Sequence, residues 1–101
     1  MTMDTEAVRE LELFIVSDAE LYRQQTVPIQ NNLRRKWTKG IYDPTKAAKL
    51  WRYLVDNGAK KYARQYSTGV HDARVIFPGP VRNEVARSLE VTWREELERE
   101  A

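Results

Sequence analysis

The feature that most constrains the fold is a long amphipathic segment that begins after Asp43. Asp43 is a favoured N-cap residue and Pro44 suits the first position of a helix, so the pattern predicts a helix over 44–66. Small and apolar residues recur at helical spacing on one side of this segment: Ala47, Leu50, Trp51, Leu54, Val55, Gly58 and Tyr62. Because glycine weakens a helix relative to alanine, Gly58 on the apolar side predicts that another helix crosses closely there.

A second helix is predicted over 18–39. Ser17 and Glu20 have the spacing of a capping box at its start, and Gly40 is a natural stop after its end. Pro28 lies inside this span and cannot donate a backbone hydrogen bond, so we expect a kink near it or two short helices. The apolar stripe of this helix is expected to contain Tyr22, Ile29, Leu33 and Trp37.

Three further segments complete the predicted fold. Periodic apolar residues predict a last helix over 80–99, whereas residues 5–16 fit either a helix or a short strand. Because the chain offers no second strand, we favour a helix or an extended packing arm for 5–16. The irregular segment 67–79 is expected to pack onto the core through Val70, Val75, Ile76 and Phe77. We therefore predict one all-α domain over 1–101, a small bundle of three to four helices with a kink at Pro28.

The last predicted helix has an apolar stripe that repeats every four residues. Its members are Val81, Val85, Leu89 and Trp93, with Ala86 and Leu97 beside them. Each tryptophan of the chain (Trp37, Trp51 and Trp93) falls on a predicted buried stripe, so we expect all of them to pack in the core. An exposed apolar edge on this helix would permit a homodimer, which nothing else in the sequence requires.

The composition excludes several classes of site. The absence of cysteine excludes a disulfide framework, thiol catalysis and thiolate metal sites. The single histidine, His71, excludes a zinc site built from several histidines. The longest apolar run covers 13–16, far below the ~18 residues that a membrane span needs. The N-terminus has no basic segment followed by an apolar one, so we expect no secretory signal.

No group of residues predicts catalysis. His71 and Asp72 are neighbours, but adjacent residues seldom share a hydrogen bond in the geometry that catalysis needs, and both lie in a predicted loop. The glycines stand singly, so no phosphate-binding loop is present. We therefore expect no catalytic residue, no cofactor and no metal ligand.

The net charge of +2 hides an uneven distribution along the chain. Residues 1–22 carry six acids and one base, residues 23–75 twelve bases and three acids, and residues 76–101 six acids and four bases, which gives net charges of −5, +9 and −2. Two interpretations remain open. Either the acidic ends fold back onto the basic middle and neutralise it, which we favour for a small helical bundle, or the basic middle faces an external anion such as nucleic acid.

The basic side of the 44–66 helix is the strongest candidate for a binding site. Each of its cations could neutralise a backbone phosphate, and Tyr53 between them could stack or form a hydrogen bond. Arginines around the preceding turn could extend the patch. The candidate contact residues are Arg34, Arg35, Lys46, Lys49, Tyr53, Lys60 and Arg64.

Several short motifs over residues 11–97 form a recognisable pattern. They are Asp18-Ala19-Glu20-Leu21-Tyr22, Pro28-Ile29, Asn32-Leu33, Lys39-Gly40-Ile41-Tyr42-Asp43, Lys49-Leu50-Trp51, Tyr53-Leu54-Val55, Ala59-Lys60-Lys61-Tyr62, Phe77-Pro78 and the segment from Arg82 to Ala86. The pattern resembles short helical accessory proteins encoded by bacteriophages and other mobile elements. This resemblance implies a small accessory protein in a bacterial cytoplasm that binds a host protein complex or nucleic acid, and it implies no functional residue.

Two functional hypotheses follow. The first is a non-enzymatic interaction protein, phage- or mobile-element-encoded, that modulates a host protein complex by presenting a rigid charged helix to a protein partner. The alternative is a nucleic-acid-binding protein that uses the same basic side of the 44–66 helix. Strongly salt-dependent binding to random nucleic acid would favour the alternative.

Overall fold

The computed structural model describes residues 4–66 and 73–100, and this part of the chain is helical with no strand. In chain order its elements are α1 (Thr5–Ser17), α2 (Ala19–Leu21), a π-helical turn (Tyr22–Thr26), α3 (Val27–Thr38), α4 (Pro44–Tyr66), α5 (Ala73–Ile76) and α6 (Gly79–Glu100). The predicted all-α class and a small bundle built on a few long helices are confirmed.

Aspartate caps begin two of the long helices. The Asp4 side chain accepts a hydrogen bond from the backbone N–H of Ala7 (3.1 Å), so the segment that fitted either a helix or a strand is the helix α1. At the start of α4, the Asp43 carboxylate accepts from the N–H of Thr45 (2.9 Å). This helix occupies Pro44–Tyr66, the range that the sequence predicts.

The predicted capping box at Ser17 is wrong by one residue. Ser17 is the last residue of α1, and its hydroxyl donates back to the carbonyl of Leu13 (2.6 Å). Asp18 takes the capping position instead and accepts from the N–H of Leu21 (2.9 Å). An extended backbone at Asp18, with ψ of 113°, ends α1 and lets its carboxylate cap the next helix.

The break that Pro28 was expected to cause is a π-helical turn directly before it. The N–H of Val27 donates to the carbonyl of Tyr22, five residues earlier, so the turn contains one residue more than an α-helical turn. That extra residue places Leu21 on the same side of the helix as Leu33. It rotates Tyr22 away from that side. Leu21 is 4% exposed and Tyr22 is 48% exposed, which corrects the predicted stripe.

Gly40 ends α3 as predicted. Its φ of 74° lies in the left-handed region, which L side chains rarely adopt. The N–H of Gly40 donates to the carbonyl of Trp37 (3.0 Å) and the N–H of Ile41 donates to that of Lys36 (2.9 Å). This pair of bonds is a Schellman motif, and it turns the chain into the start of α4.

The core forms where α4 packs against α1 and α6. The buried residues of α4 are Ala47, Trp51, Leu54, Val55, Gly58 and Ala59. They contact a cluster that includes Leu11 and Ile15 of α1 and Val85 of α6. The predicted apolar side of the 44–66 helix is therefore its buried side.

The predicted stripe of α6 is buried or half-buried, but it contains one charged residue that the pattern did not indicate. Glu90 is buried between helices, where it accepts a hydrogen bond from the Tyr42 hydroxyl (2.8 Å) and pairs with Arg94 (3.1 Å). Burial and the Glu90 carboxylate raise the pKa of Tyr42 well above its usual range. Two partners thus satisfy a carboxylate that would be costly to bury alone.

The segment before α6 contains a short helix, α5, where the sequence predicted irregular structure. Ala73 and Phe77 are one turn apart and both are buried, and the Phe77 ring lies 4.9 Å from that of Tyr62. The same turn places Val75 in solvent, so its predicted anchoring role is wrong. Val70 lies outside the described residues.

The close approach of α1 to α4 at Gly58 is confirmed by the space around this residue. A Cβ atom added to Gly58 would lie 2.6 Å from Cγ1 of Ile15, which is closer than two such atoms can pack. Gly58 does not have a positive φ, so its backbone conformation does not call for glycine. The close contact with Ile15 is therefore the reason that a glycine is needed here.

We predict that Gly58→Ala lowers the free energy of unfolding by about 1–2 kcal/mol. The gain of ~1 kcal/mol in helix propensity is smaller than the cost of overpacking Ile15. Urea unfolding followed by circular dichroism measures the change. Gly79→Ala is the control, since nothing lies within 4 Å of its Cβ position. A Gly58→Ala variant that is more stable than the wild type would contradict the close crossing.

Candidate interaction surface

The predicted binding residues of α4 form a continuous exposed surface, which we call the basic stripe. It consists of Lys46, Lys49, Tyr53, Lys60 and Arg64, all exposed. At 100° per residue they fall within about 60° of arc, opposite the buried side of the helix. The stripe runs ~27 Å along α4, given a rise of 1.5 Å per residue. Tyr53 lies near its middle and is 67% exposed.

The charges of the stripe are not neutralised within the fold. Lys46, Lys49, Lys60 and Arg64 form no ion pair or side-chain hydrogen bond in residues 4–66 and 73–100. By contrast, Arg52 beside the stripe pairs with Asp56 of the same helix (2.9 Å). Among the described residues the stripe is therefore a row of cations without partners, with an exposed aromatic ring between them.

The acidic N-terminal segment reaches α4 beside the stripe rather than on it. Lys61 pairs with Asp18 (2.9 Å) and with Glu20 (3.1 Å), and both acids precede the π-turn. The Tyr62 hydroxyl donates to the Glu10 carboxylate, and this hydrogen bond raises the pKa of Tyr62 to about 12. The favoured interpretation, in which the ends cover the basic middle, thus describes the flank of α4 and leaves the stripe uncovered.

The C-terminal end of the stripe faces the π-turn. Lys60 and Arg64 line a cavity of about 240 Å³ together with Gln24 and Gln25 of that turn. The Asn57 amide donates to the side-chain oxygen of Gln25 (2.9 Å) and so ties the turn to α4. This end of the stripe combines cations with amide groups and with the carboxylate of Glu20, which lines the same cavity and pairs with Lys61.

The N-terminal end of the stripe includes a residue that the sequence analysis missed. Lys36 of α3 and Lys46 line a small pocket of about 180 Å³ with Ile41 and Asp43. The tight turn at Gly40 brings Lys36 of α3 and Lys46 of α4 into the same pocket. The residue spacing within either helix alone does not predict that the two lysines are neighbours.

One of the predicted contact residues, Arg34, is drawn to another part of the fold. It pairs with Glu100 at the end of α6 (2.9 Å), and its guanidinium lies 5.0 Å from the ring centre of Trp93. Arg35 is exposed on α3 and stays a candidate contact residue. The pocket shared by Lys36 and Lys46 extends the patch from α4 onto α3.

The described residues hold no group of three or more side chains suited to a metal ion. His71 and Asp72, the neighbours considered for catalysis, lie outside the described residues. No helix in 4–66 or 73–100 is long and apolar enough to cross a membrane.

Comparison with protein-family models, with curated proteins and with solved structures finds no match to this chain.

We predict that the Asp18–Lys61 pair makes stability depend on pH in the acidic range. The hydrogen bond from the Leu21 N–H and then the Lys61 ammonium hold the pKa of Asp18 below its usual value. Because the pKa of Asp18 is lower in the folded protein than in the unfolded chain, where it is near 4, the ionised carboxylate stabilises the fold at pH values above about 4. This stabilisation is lost as the pH falls through the pKa of the folded state.

Asp18→Asn keeps the capping oxygen and removes the charge, so it isolates this contribution. Urea unfolding should show the variant less stable than the wild type near pH 7, with the difference shrinking toward pH 2. Glu98→Gln, at an exposed carboxylate without an ion pair in the described chain, should show no such convergence. A constant difference for Asp18→Asn across this range would contradict the assignment.

Proposed function

We propose that this chain is a non-enzymatic interaction protein that binds an acidic surface of a partner protein through the basic stripe. The observation that carries the proposal is the row of cations that have no partner among residues 4–66 and 73–100, on a helix fixed by its buried side. A rigid helix holds these charges at a constant spacing, so little conformational freedom is lost when a partner docks. As implied by its resemblance to phage accessory proteins, we place this action in a bacterial cytoplasm.

The parts of the stripe have different roles in this proposal. The cations steer an acidic partner toward α4 and raise the rate of association, an effect that salt weakens. Tyr53 supplies apolar area and a hydroxyl at the centre, and tyrosine and arginine are enriched among residues that dominate binding energy. Tyr53 and Arg64 are therefore the expected anchors.

Nucleic-acid binding is the second candidate, and the exposed Tyr53 ring between the cations favours it. Four cations beside an exposed tyrosine could contact phosphates and stack on a base. The two candidates differ in the anion they prefer at equal salt concentration. A direct comparison between an acidic helix and a nucleic acid therefore separates them.

We predict that a fluorescently labelled, glutamate-rich helical peptide of about 20 residues binds this protein more tightly than a random 20-base-pair duplex does. Fluorescence anisotropy at about 50 and 200 mM salt measures both affinities. The stripe variant Lys49→Glu/Lys60→Glu should lose about tenfold or more in peptide affinity, because attraction becomes repulsion at two positions.

The matched control is Arg9→Glu/Arg23→Glu, which reverses two exposed arginines that also have no ion pair in the described residues. It changes the net charge equally and should leave peptide affinity within about twofold. Tighter binding to the duplex, lost in the stripe variant alone, would replace the proposal with the nucleic-acid candidate. Equal losses in both double variants, or no binding at low salt, would remove the stripe as a site.

A further inference from the structure

The small pocket between the end of α3 and the start of α4 lies at one end of the basic stripe. Its volume is about 180 Å³. Three aliphatic residues line it: Leu33 of α3, Ala47 of α4 and Ile41 of the turn between these helices. Sites for free small molecules usually occupy about 300–1,000 Å³, so this pocket has the size for a single side chain rather than for a separate ligand. We refer to it as the turn pocket.

Ile41 leaves apolar surface uncovered at the edge of the turn pocket. Leu33 and Ala47 are each 1% exposed and belong to the core, whereas Ile41 is 62% exposed. The backbone of Ile41 is fixed, because its N–H donates to the carbonyl of Lys36 (2.9 Å) directly after the left-handed Gly40. An apolar group that enters the pocket would remove the Ile41 side chain from water, which is favourable.

The charged residues of the turn pocket favour an acidic neighbour for that apolar group. Lys36 and Lys46 line the pocket and form no ion pair or side-chain hydrogen bond among residues 4–66 and 73–100. Asp43 also lines it, and its carboxylate caps α4 by accepting from the N–H of Thr45 (2.9 Å). Two lysines against one aspartate give a net charge of +1. Both lysines can therefore bind a carboxylate that docks beside the pocket.

We infer that the turn pocket takes one leucine-sized aliphatic side chain from an acidic protein segment, while carboxylates of the same segment bind Lys36, Lys46 and the rest of the basic stripe. This inference rests on the proposed function and adds an apolar anchor to a surface that is otherwise charged. Lys46 belongs both to the pocket and to the stripe, so one continuous segment can occupy the two together.

The lining of the turn pocket suits a protein segment better than a nucleic acid. Proteins hold unpaired bases mainly by stacking them on aromatic side chains. None of the six described residues that line the pocket is aromatic. A base in this pocket would have no ring to stack on, whereas a leucine side chain would contact the aliphatic groups of Leu33, Ile41 and Ala47.

Three fluorescently labelled peptides separate the apolar contact from the charge. Each is a helix of about 20 residues, long enough to span the stripe. The first is rich in glutamate and contains one leucine, the second has alanine in place of the leucine, and the third keeps the leucine but has glutamine for every glutamate. Because the glutamates are evenly spaced, the leucine can reach the pocket in more than one register.

Fluorescence anisotropy with the wild-type protein at about 50 mM salt gives the three affinities. The leucine peptide should bind about tenfold more tightly than the alanine peptide, because only its side chain fills the pocket. The glutamine peptide should bind at least about tenfold more weakly than the leucine peptide, since it offers the lysines no carboxylate.

The variant Ile41→Gln removes an aliphatic wall of the pocket and leaves every charge in place. It should bind the leucine and alanine peptides equally, to within about twofold, at the wild-type affinity for the alanine peptide. Leu13→Gln is the matched control, because Leu13 is also an exposed aliphatic residue, at 63%. Leu13 lies on α1, which crosses α4 at Gly58, about 16 Å along the helix from Ala47. This control should keep the tenfold preference, and circular dichroism establishes that both variants are folded.

Equal binding of the leucine and alanine peptides to the wild type, lost for both in Lys49→Glu/Lys60→Glu, would overturn the inference and leave the proposed function standing. A preference for leucine that persists in Ile41→Gln would also overturn it, because the aliphatic contact would then lie elsewhere. Tight binding of the glutamine peptide would do the same, since the lysines would have no part in it. No binding of either glutamate-rich peptide would remove the proposed function and the inference together.

Discussion

The close crossing of α1 and α4 at Gly58 is the contact on which the other features depend. Without a Cβ atom at this position, Ile15 packs against the α4 backbone and the apolar side of α4 is covered. The same approach brings the end of α1 alongside α4, where Asp18 reaches Lys61. Because α1 and α6 occupy the apolar side, the opposite side of α4, with Tyr53 and its flanking cations, must face solvent.

The ion pairs of the described residues neutralise only part of the basic middle of the chain, residues 23–75. Several of its cations have no acidic partner there although the chain has two acidic ends. Asp18 of the N-terminal segment pairs with Lys61, Glu100 of the C-terminal segment pairs with Arg34 on α3, and Arg52 pairs with Asp56 of its own helix. In the described part of the chain these pairs leave the outward stripe without an acidic partner. Exposed ion pairs contribute about 0–1 kcal/mol each, so the fold loses little stability by leaving these cations unpaired. A partner that carries carboxylates or phosphates could therefore bind these cations without first breaking an ion pair in the described part of the fold.

Local signals were sufficient to predict α4 and its two sides, since the Asp43 cap and the apolar period lie within a single helix. The buried side of the residues before Pro28 could not be predicted, because the π-turn inserts one residue into the helix. As a result Leu21 is buried in the core where the sequence predicted Tyr22. The buried Glu90 depends on Tyr42, a partner 48 residues away, and no local pattern contains that contact. The place of Arg34 was missed for the same reason, since Glu100 of α6 draws it away from the stripe.

The π-turn is the element that joins the two surfaces of the molecule. Tyr22 and Thr26 of this turn line an open cleft of about 560 Å³ between α3 and α6, whereas Gln24 and Gln25 line the cavity at the C-terminal end of the basic stripe. Residues four apart share one side of the turn, and the extra residue of the π-turn sets the direction in which that side points relative to α3. Pro28 lacks the N–H that a regular turn would use, so the helix tolerates this irregular turn at little further cost. The π-turn therefore contributes residues to the candidate interaction surface and to the cleft between α3 and α6.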